Sequence, residues 1–557
     1  MYILKAVDYA FNFFTGWTLI GPYVIQVIPR LVMLCLSFIS DFTIYQICIL
    51  YKHSFNQCLT TLASSYVMLI YSTRTLTNSI EMAMTSLMIY LVAHCLKRTS
   101  ETVYLQAMVH ESYVKAESAK EKAKIKKKEK LIPPHDFKFF LPISILVAMG
   151  IFNRPTFGAF AVVPLFYWFQ RGVATNSIVS PFQMFNFRMV SLAPGVLFVT
   201  LTLILSDSLY YGELTFRKLW DLSMDWSDWK VAPFQFLMYN VVPGNLDKHG
   251  THPHWLHALV NLPLLYGPLG LCAIISAINF LAEIVMNDWK NKPGVRNIYA
   301  MTMFTFIVAL GALSIFPHQE PRFLIPLTVP IVLMNSHKLR WKCGNYKPLL
   351  VIWYAFNISA AVFYGLAHQA GVTPSVRYIA KNMEFKTSEA NFVWSNTYMP
   401  PTFELLRMSE KSRRSSYKPS YFLHQETRVN FHDLQGKNLY VDVKNEILQL
   451  ATRAKLKKNQ VENYLVIPSH LLQDLESVLG DDIKFTSVAY FFPHLSMEAL
   501  PDLSEEMLQL LDTKVIDQGI FTSLMNILGH FGLSIYKFES QDHDVEATIK
   551  LKKNVME

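Results

Sequence analysis

Charge is what this sequence has least of. Only 17% of its 557 residues are Asp, Glu, Lys or Arg, against 52% hydrophobic and 14% aromatic. A soluble chain of this length carries more surface charge, so the composition excludes an ordinary soluble domain and points to a polytopic membrane protein. Cysteine is scarce too. The six are Cys35, Cys48, Cys58, Cys95, Cys272 and Cys343, with no Cys-x-x-Cys pair. That spacing suggests neither a disulfide framework nor a zinc site, and these thiols read as small buried hydrophobes. The sequon Asn357-Ile358-Ser359 falls inside a predicted span and is expected to be unused.

What is present is hydrocarbon. Apolar stretches that cross or nearly cross a bilayer lie at roughly 17–40, 57–72, 79–97, 138–152, 157–171, 188–206, 258–284, 299–316, 323–336 and 347–367, about ten in all. Several are short and broken by proline or glycine. These are candidates for half-helices or re-entrant pieces, which persist at membrane depth only where protein or a wet cavity covers them.

Three basic loops fix the expected orientation. Val114–Lys130 packs eight lysines, and Asp288–Arg296 and His337–Lys347 are also basic. Counting spans puts all three on one side, which the positive-inside rule makes cytoplasmic. The net charge of +9 is then mainly a topology signal. The lysine run has no interleaved aromatics, so it reads as a solvated helix or loop and not as a nucleic-acid site.

The opposite face collects the polar clusters: Thr73–Glu81, "FNRPTF", Asp207–Glu213, Val231–His257 and "FPHQEPRFLIPL". From about Thr373 the chain turns more polar and has no spanning run. We therefore divide it into a multispan region, 1–372, and a C-terminal luminal domain, 373–557. Alternation in "KNLYVDV" and "ENYLVIP" predicts strands and "SEEMLQLLDTK" a helix, hence a small α+β domain.

His318, Glu320 and Arg322 stand against an apolar run, where charge is costly and by default functional. A purely interfacial ion pair is the bland alternative. An arginine fork suits phosphate, and a carboxylate beside it suits sugar hydroxyls or holds a cation in place. Asn153 and Arg154 end a span before Pro155, which forces a turn. His249, His252, His254 and His257 fall within nine positions near Asn245. Pro253 and Gly250 oppose a regular helix, so neutral imidazoles hydrogen-bonding a glycan fit this loop better than a metal. Asp207 and Arg74 are weaker candidates by position. The residues alone describe a cavity suited to phosphate and hydroxyls: a lipid-linked sugar transferase, or a transporter. No paired halves of the transporter kind are evident.

"HQEPRF" resembles the signature of the endoplasmic-reticulum mannosyltransferases of glycosyltransferase family 22, membrane enzymes of the GT-C fold. "FNRPTFGAFAVVPL", "NLDKHGTHPHWLH", "TYMPP" and "FFPHLS" are similar to the branch of that family that adds the fourth mannose to GPI precursors. The resemblance implies an all-α polytopic membrane protein of GT-C type with a C-terminal luminal α+β domain. It implies transfer from dolichyl phosphate mannose, in α1,2 linkage with inversion, to the third mannose of a GPI glycolipid. It also implies an endoplasmic-reticulum membrane location and no cofactor, and the residues themselves give no sign of an obligate protein partner. The family's sibling transferases, for the third GPI mannose or for N-glycan precursors, share the signature around Glu320.

The family's catalytic aspartate belongs to a His-Pro-Asp-Glu motif in the first luminal loop, and this sequence lacks that motif; His252-Pro253 is followed by His254. Span counting also places Met1 in the lumen with no preceding segment to deliver it. The expectation is a chain that starts after the first span and its loop, with no catalytic base assignable within it. A form that has lost catalysis is the alternative.

Overall fold

The structure, a computed structural model, describes residues 22–132, 138–170, 181–242, 252–286, 297–339, 347–383, 385, 387–405, 428–457, 460–502 and 527–540. The chain divides into two compact units, one of Arg30–Ser359 and one of Ala360–Glu557 with the residues up to Pro29.

Among the described residues, five helices are long and apolar enough to cross a membrane: Tyr23–Tyr51, Thr77–Lys115, Phe185–Tyr211, His257–Val285 and Pro348–Ala367. Three shorter apolar helices accompany them, Phe140–Asn153, Phe157–Gln170 and Ile298–Ser314. The stretches expected near 57–72 and 323–336 are composite. The first is a helix, Phe55–Ala63, followed by a wide turn, Val67–Tyr71. The second is a tight 3-10 turn, Pro321–Leu327, followed by a helix, Thr328–Asn335. Both fall short of a membrane's thickness as single helices. The second is almost wholly buried from Leu324 to Val332, so protein covers its irregular backbone.

The membrane unit is ordered around the Thr77–Lys115 helix. Met82, Met88, Ile89, Val92 and Leu96 on it are fully buried. The Phe185–Tyr211 helix instead turns Phe187, Leu197, Phe198 and Leu201 outward, a face suited to hydrocarbon. The helix that follows His257 breaks at Gly267, which has φ +50° and ψ −130° immediately before Pro268. A Cβ there would lie 2.5 Å from the Phe356 ring, so only glycine permits both the backbone turn and the packing.

The second unit carries a five-stranded sheet: β1 Glu389–Trp394, β2 Arg428–Asp433, β3 Val461–Pro468, β4 Ile483–Phe491 and β5 Leu533–Ser540. The spatial order is β2-β1-β3-β5-β4. β1 pairs in parallel with β2 and β3, while β5 runs antiparallel to β3 and β4. Both faces are buried. Val393, Leu465 and Ile467 join the helices Lys444–Leu456 and Leu471–Leu479 in one core. Phe392, Trp394, Tyr464 and Val466 join the helix Val372–Lys381 in the other. The expected α+β domain is thus layered, with helices on both faces of a mixed sheet.

"ENYLVIP" lies in β3 as predicted. "KNLYVDV" is not a strand. Leu439–Val443 form a wide helical turn leading into Lys444–Leu456. Asn438 accepts a hydrogen bond from the Tyr440 N–H at 2.8 Å, and the buried pair Leu439 and Val443 is spaced four apart. A local cap thus overrode an ambiguous apolar alternation. "SEEMLQLLDTK" lies outside the described residues.

Candidate active site

Proline builds this site by ending helices. Pro155 drives Arg154 to extended backbone, φ −158° and ψ 130°, and closes the helix Phe140–Asn153. Pro321 opens the tight turn after Glu320, itself extended at φ −111°. Each break delivers a charged side chain at the end of an apolar segment, beside the first turn of the Thr77–Lys115 helix.

Arg154 is held there by several acceptors. Its Nη1 donates to Asn78 Oδ1 at 3.2 Å and to Thr77 Oγ1 at 3.4 Å, and its Nε to Thr156 Oγ1 at 3.3 Å. Asn153 donates to the Thr77 carbonyl at 3.0 Å. Thr156 in turn donates to Glu81 Oε1 at 2.8 Å, and Glu81 is fully buried. A buried carboxylate therefore stands behind the guanidinium, one side chain removed. Burial pulls the Arg154 pKa down; Glu81 and Glu320 oppose that effect, and Arg322 adds to it. Arginine's very high intrinsic pKa keeps it a cation at neutral pH.

Glu320 faces two partners. His318 Nε2 lies 2.9 Å from Oε1, and Arg322 donates to the same oxygen at 2.8 Å through Nη2, with Nε on Oε2 in a fork. Burial pushes the Glu320 carboxyl up, but Arg322 and His318 outweigh it and hold it below the usual glutamate range.

Phe323 joins the two groups. The Arg154 guanidinium sits over its ring at 4.8 Å and that of Arg322 at 6.0 Å. His318 and His257 pack against the same ring, and His252 packs against His318. Gln319, nearly fully buried, ties the histidine segment to this turn. Its backbone N–H donates to His252 Nδ1 at 3.3 Å, its Oε1 accepts from the His257 N–H at 2.9 Å, and its amide donates to the carbonyls of His254 and Ser314. His254 Nδ1 lies 2.8 Å from the Ser314 carbonyl, and His257 Nδ1 lies 3.0 Å from Asn261 Nδ2. These imidazoles are engaged in hydrogen bonds rather than converging on one point. Among the described residues no cluster of three metal-ligating side chains occurs.

The structure thus brings together Asn153, Arg154, His252, His257, His318, Glu320 and Arg322. Asn245 and His249 lie outside the described residues. Arg74 stacks on its neighbour Tyr71 at 5.4 Å. Asp207 is on the Pro181–Tyr211 helix and, among the described residues, shares no ion pair or hydrogen bond with the cluster. Its neighbour Ser208 accepts from the Lys230 N–H at 2.8 Å, in a local network with Glu213. Sequence reasoning missed Glu81, Thr156, Phe323, Gln319 and Asn261 as members. Glu81 had a usable signal, since it is a lone carboxylate entering a long apolar helix.

Two arginines, two carboxylates and three imidazoles are thus gathered at the ends of apolar segments in a chain whose helices mark it as a membrane protein. The Alg9-like mannosyltransferase family matches residues 2–407, and the chain belongs to that family. A Drosophila melanogaster protein named GPI mannosyltransferase 4 is 30% identical over 524 residues, 87% of this chain and 74% of its own length. The human GPI alpha-1,2-mannosyltransferase 4 is 30% identical over 398 residues, covering 69% of this chain and 61% of its own. The Saccharomyces cerevisiae GPI mannosyltransferase 4 is 26% identical over 448 residues, 79% and 72% of the two chains. No solved structure matches the chain.

Proposed function

We propose that this protein transfers mannose from dolichyl phosphate mannose, in α1,2 linkage, to the third mannose of a GPI precursor on the luminal side of the endoplasmic-reticulum membrane. The observation that carries this reading is the pair of arginines, Arg154 and Arg322, on the Phe323 ring, each backed by a carboxylate. The names of the relatives supply the acceptor class.

The donor is a phosphodiester with a β-linked sugar. In one displacement the acceptor hydroxyl oxygen bonds to the anomeric carbon, and the bond from that carbon to the phosphate oxygen breaks. The electron pair leaves with dolichyl phosphate, and the configuration inverts through an oxocarbenium-like transition state. Negative charge grows on the phosphate, where Arg154 and Arg322 donate hydrogen bonds strengthened by their own charge. Glu320 fixes the Arg322 fork, and Glu81, through Thr156, fixes Arg154. Both carboxylates are thereby committed to positioning. The acceptor's proton passes to a general base, a role that these two engaged carboxylates leave to another group. The buried His257 and the Glu320-bound His318 hold the Phe323 ring in place, and His252, beside them, is the imidazole offered to sugar hydroxyls.

The test is complementation of cells lacking the fourth-mannose transferase, with the mannose count of GPI precursors read by mass spectrometry. This chain is run beside a form extended upstream to any in-frame His-Pro-Asp-Glu loop. Restoration of the four-mannose species by either form supports the reading. Failure of both with correct insertion, or extension at another position of the glycan, moves the acceptor to a sibling substrate.

A further inference from the structure

Two helices long and apolar enough to cross a membrane have one end each in the C-terminal unit. The helix Pro348–Ala367 runs straight into it: the Leu495 N–H donates to the Ala367 carbonyl, and the Gln369 N–H to the Leu495 carbonyl, each at 3.0 Å. At the start of the Tyr23–Tyr51 helix, the Arg377 guanidinium lies 5.5 Å from the Tyr23 ring, while Arg377 is ion-paired at 3.3 Å to the buried Glu404. The Tyr23 end of one candidate span and the Ala367 end of another both belong to this unit and pack on its residues.

The loops nearest those ends are the apolar ones. β1, β3 and β4 point the same way, so their C-terminal ends share one end of the sheet. From that end emerge the loop after β1, with Tyr398, Met399 and Phe403, and the loop after β4, with Phe492, Met497 and Leu500. All six are more than half exposed, from 52% at Tyr398 to 72% at Met399. Both loops are tied to the residues just past the span. His368 Nε2 and the Tyr398 hydroxyl share a hydrogen bond of 3.0 Å, Gln369 Oε1 accepts from the Tyr398 N–H at 3.1 Å, and Gln369 Nε2 donates to Ser496 Oγ at 3.1 Å.

We infer that the C-terminal unit seats this end of its sheet in the bilayer, with Tyr398, Met399, Phe403, Phe492, Met497 and Leu500 in the layer between headgroups and acyl chains. Tyr398 and Ser496 are hydrogen-bonded to residues one and two positions past the Pro348–Ala367 helix, which keeps the loops that carry these apolar groups close to its end. Tyrosine and phenylalanine are residues whose burial there is favourable. The polar links from His368 and Gln369 anchor the loops, and the exposed side chains meet lipid. This placement is independent of the proposed reaction.

The test uses the full chain in phosphatidylcholine vesicles. It is photolabelled in one arm by a phosphatidylcholine bearing a diazirine on its acyl chain, in the other by a water-soluble diazirine, and read by peptide mass spectrometry. The expected result is lipid labelling of the peptides spanning Tyr398–Phe403 and Phe492–Leu500, within about threefold of the Pro348–Ala367 span, as interfacial burial requires. Leu456, an exposed apolar residue at the other end of the sheet, is labelled from water only. The double variant Met399→Asp/Met497→Asp loses most lipid labelling of both loops while the span keeps its own. Labelling of both loops from water at the Leu456 level overturns the inference. So does labelling by neither probe, which would mean that protein covers them.

Discussion

The two units bury polar groups differently. In the membrane unit, buried serines and threonines turn back on their own helix: Ser86, Thr302, Thr305 and Ser208 each donate to the carbonyl one turn earlier. Such bonds need no partner elsewhere, so they leave the helix free to pack by shape alone. Others bridge helices, as Ser40 Oγ does with Ser86 Oγ at 3.1 Å and Ser276 with Asn335 Oδ1 at 2.8 Å, and the candidate site adds ion pairs to such bridges. In the C-terminal unit the buried polar groups bridge between elements instead. Asn391 donates to Asn463 across β1 and β3 at 3.0 Å, and Glu389 is paired with Lys457 at 2.6 Å. The first unit holds the Glu320–Arg322 pair at the ends of apolar segments, and the second uses its pairs as cross-links between strand and helix. Disruption is therefore expected to cost function in the first and stability in the second.

The largest expected break is at Arg322. Arg322→Ala is expected to lower the transfer rate by about 10²–10³-fold, as for loss of one strong donor at a developing charge, with unchanged thermal stability in detergent. Equal loss of activity and stability would erase the contrast between the units. Glu81→Gln is expected to cost about tenfold to a hundredfold, chiefly in kcat, because it loosens Arg154 without removing it. An effect confined to KM would instead place Glu81 in ground-state binding.

The third prediction moves to the C-terminal unit. Gly371→Ala puts a Cβ 2.8 Å from Leu533 Cβ and 3.1 Å from His494 Cβ, atoms close to backbone that cannot swing aside. The expected cost is about 1–3 kcal/mol of stability of that unit, seen as earlier proteolysis of the sheet during heating, with donor KM unchanged. The smallest effect is acidic. The Lys457 hydrogen bond, with Arg453 and Arg428, holds the Glu389 carboxyl below its usual range against burial. Its contribution is fully present above the unfolded glutamate pKa, about 4.3, and is lost as pH falls through the lower folded value. Glu389→Gln is expected to flatten that acid limb of the melting curve.

Legibility in the sequence followed the same division. Spans at Thr77–Lys115 and Pro348–Ala367 were plain from apolar length, and Glu320 with Arg322 from charge beside hydrocarbon. The composite segments near 57–72 and 323–336 read as spans because hydropathy sums over a window and does not see a turn inside it. Glu81 carried a signal of its own, but its pairing with Thr156, 75 residues later, is one that no local pattern encodes. The turn at Leu439–Val443 was misread because alternation and helical spacing agree over five residues.

The shared ring of Phe323 has a kinetic consequence. Two guanidiniums held at one aromatic ring attract a doubly charged anion more strongly than a singly charged one. On the proposed reaction the diester that enters carries one negative charge, whereas the monoester that departs carries up to two. The arrangement that eases bond breaking therefore grips the spent carrier harder than the fresh one. On that reaction release of the spent carrier is expected to pace turnover, and added dolichyl phosphate to slow it, so that the rate would follow how much lipid carrier the membrane has yet to recycle.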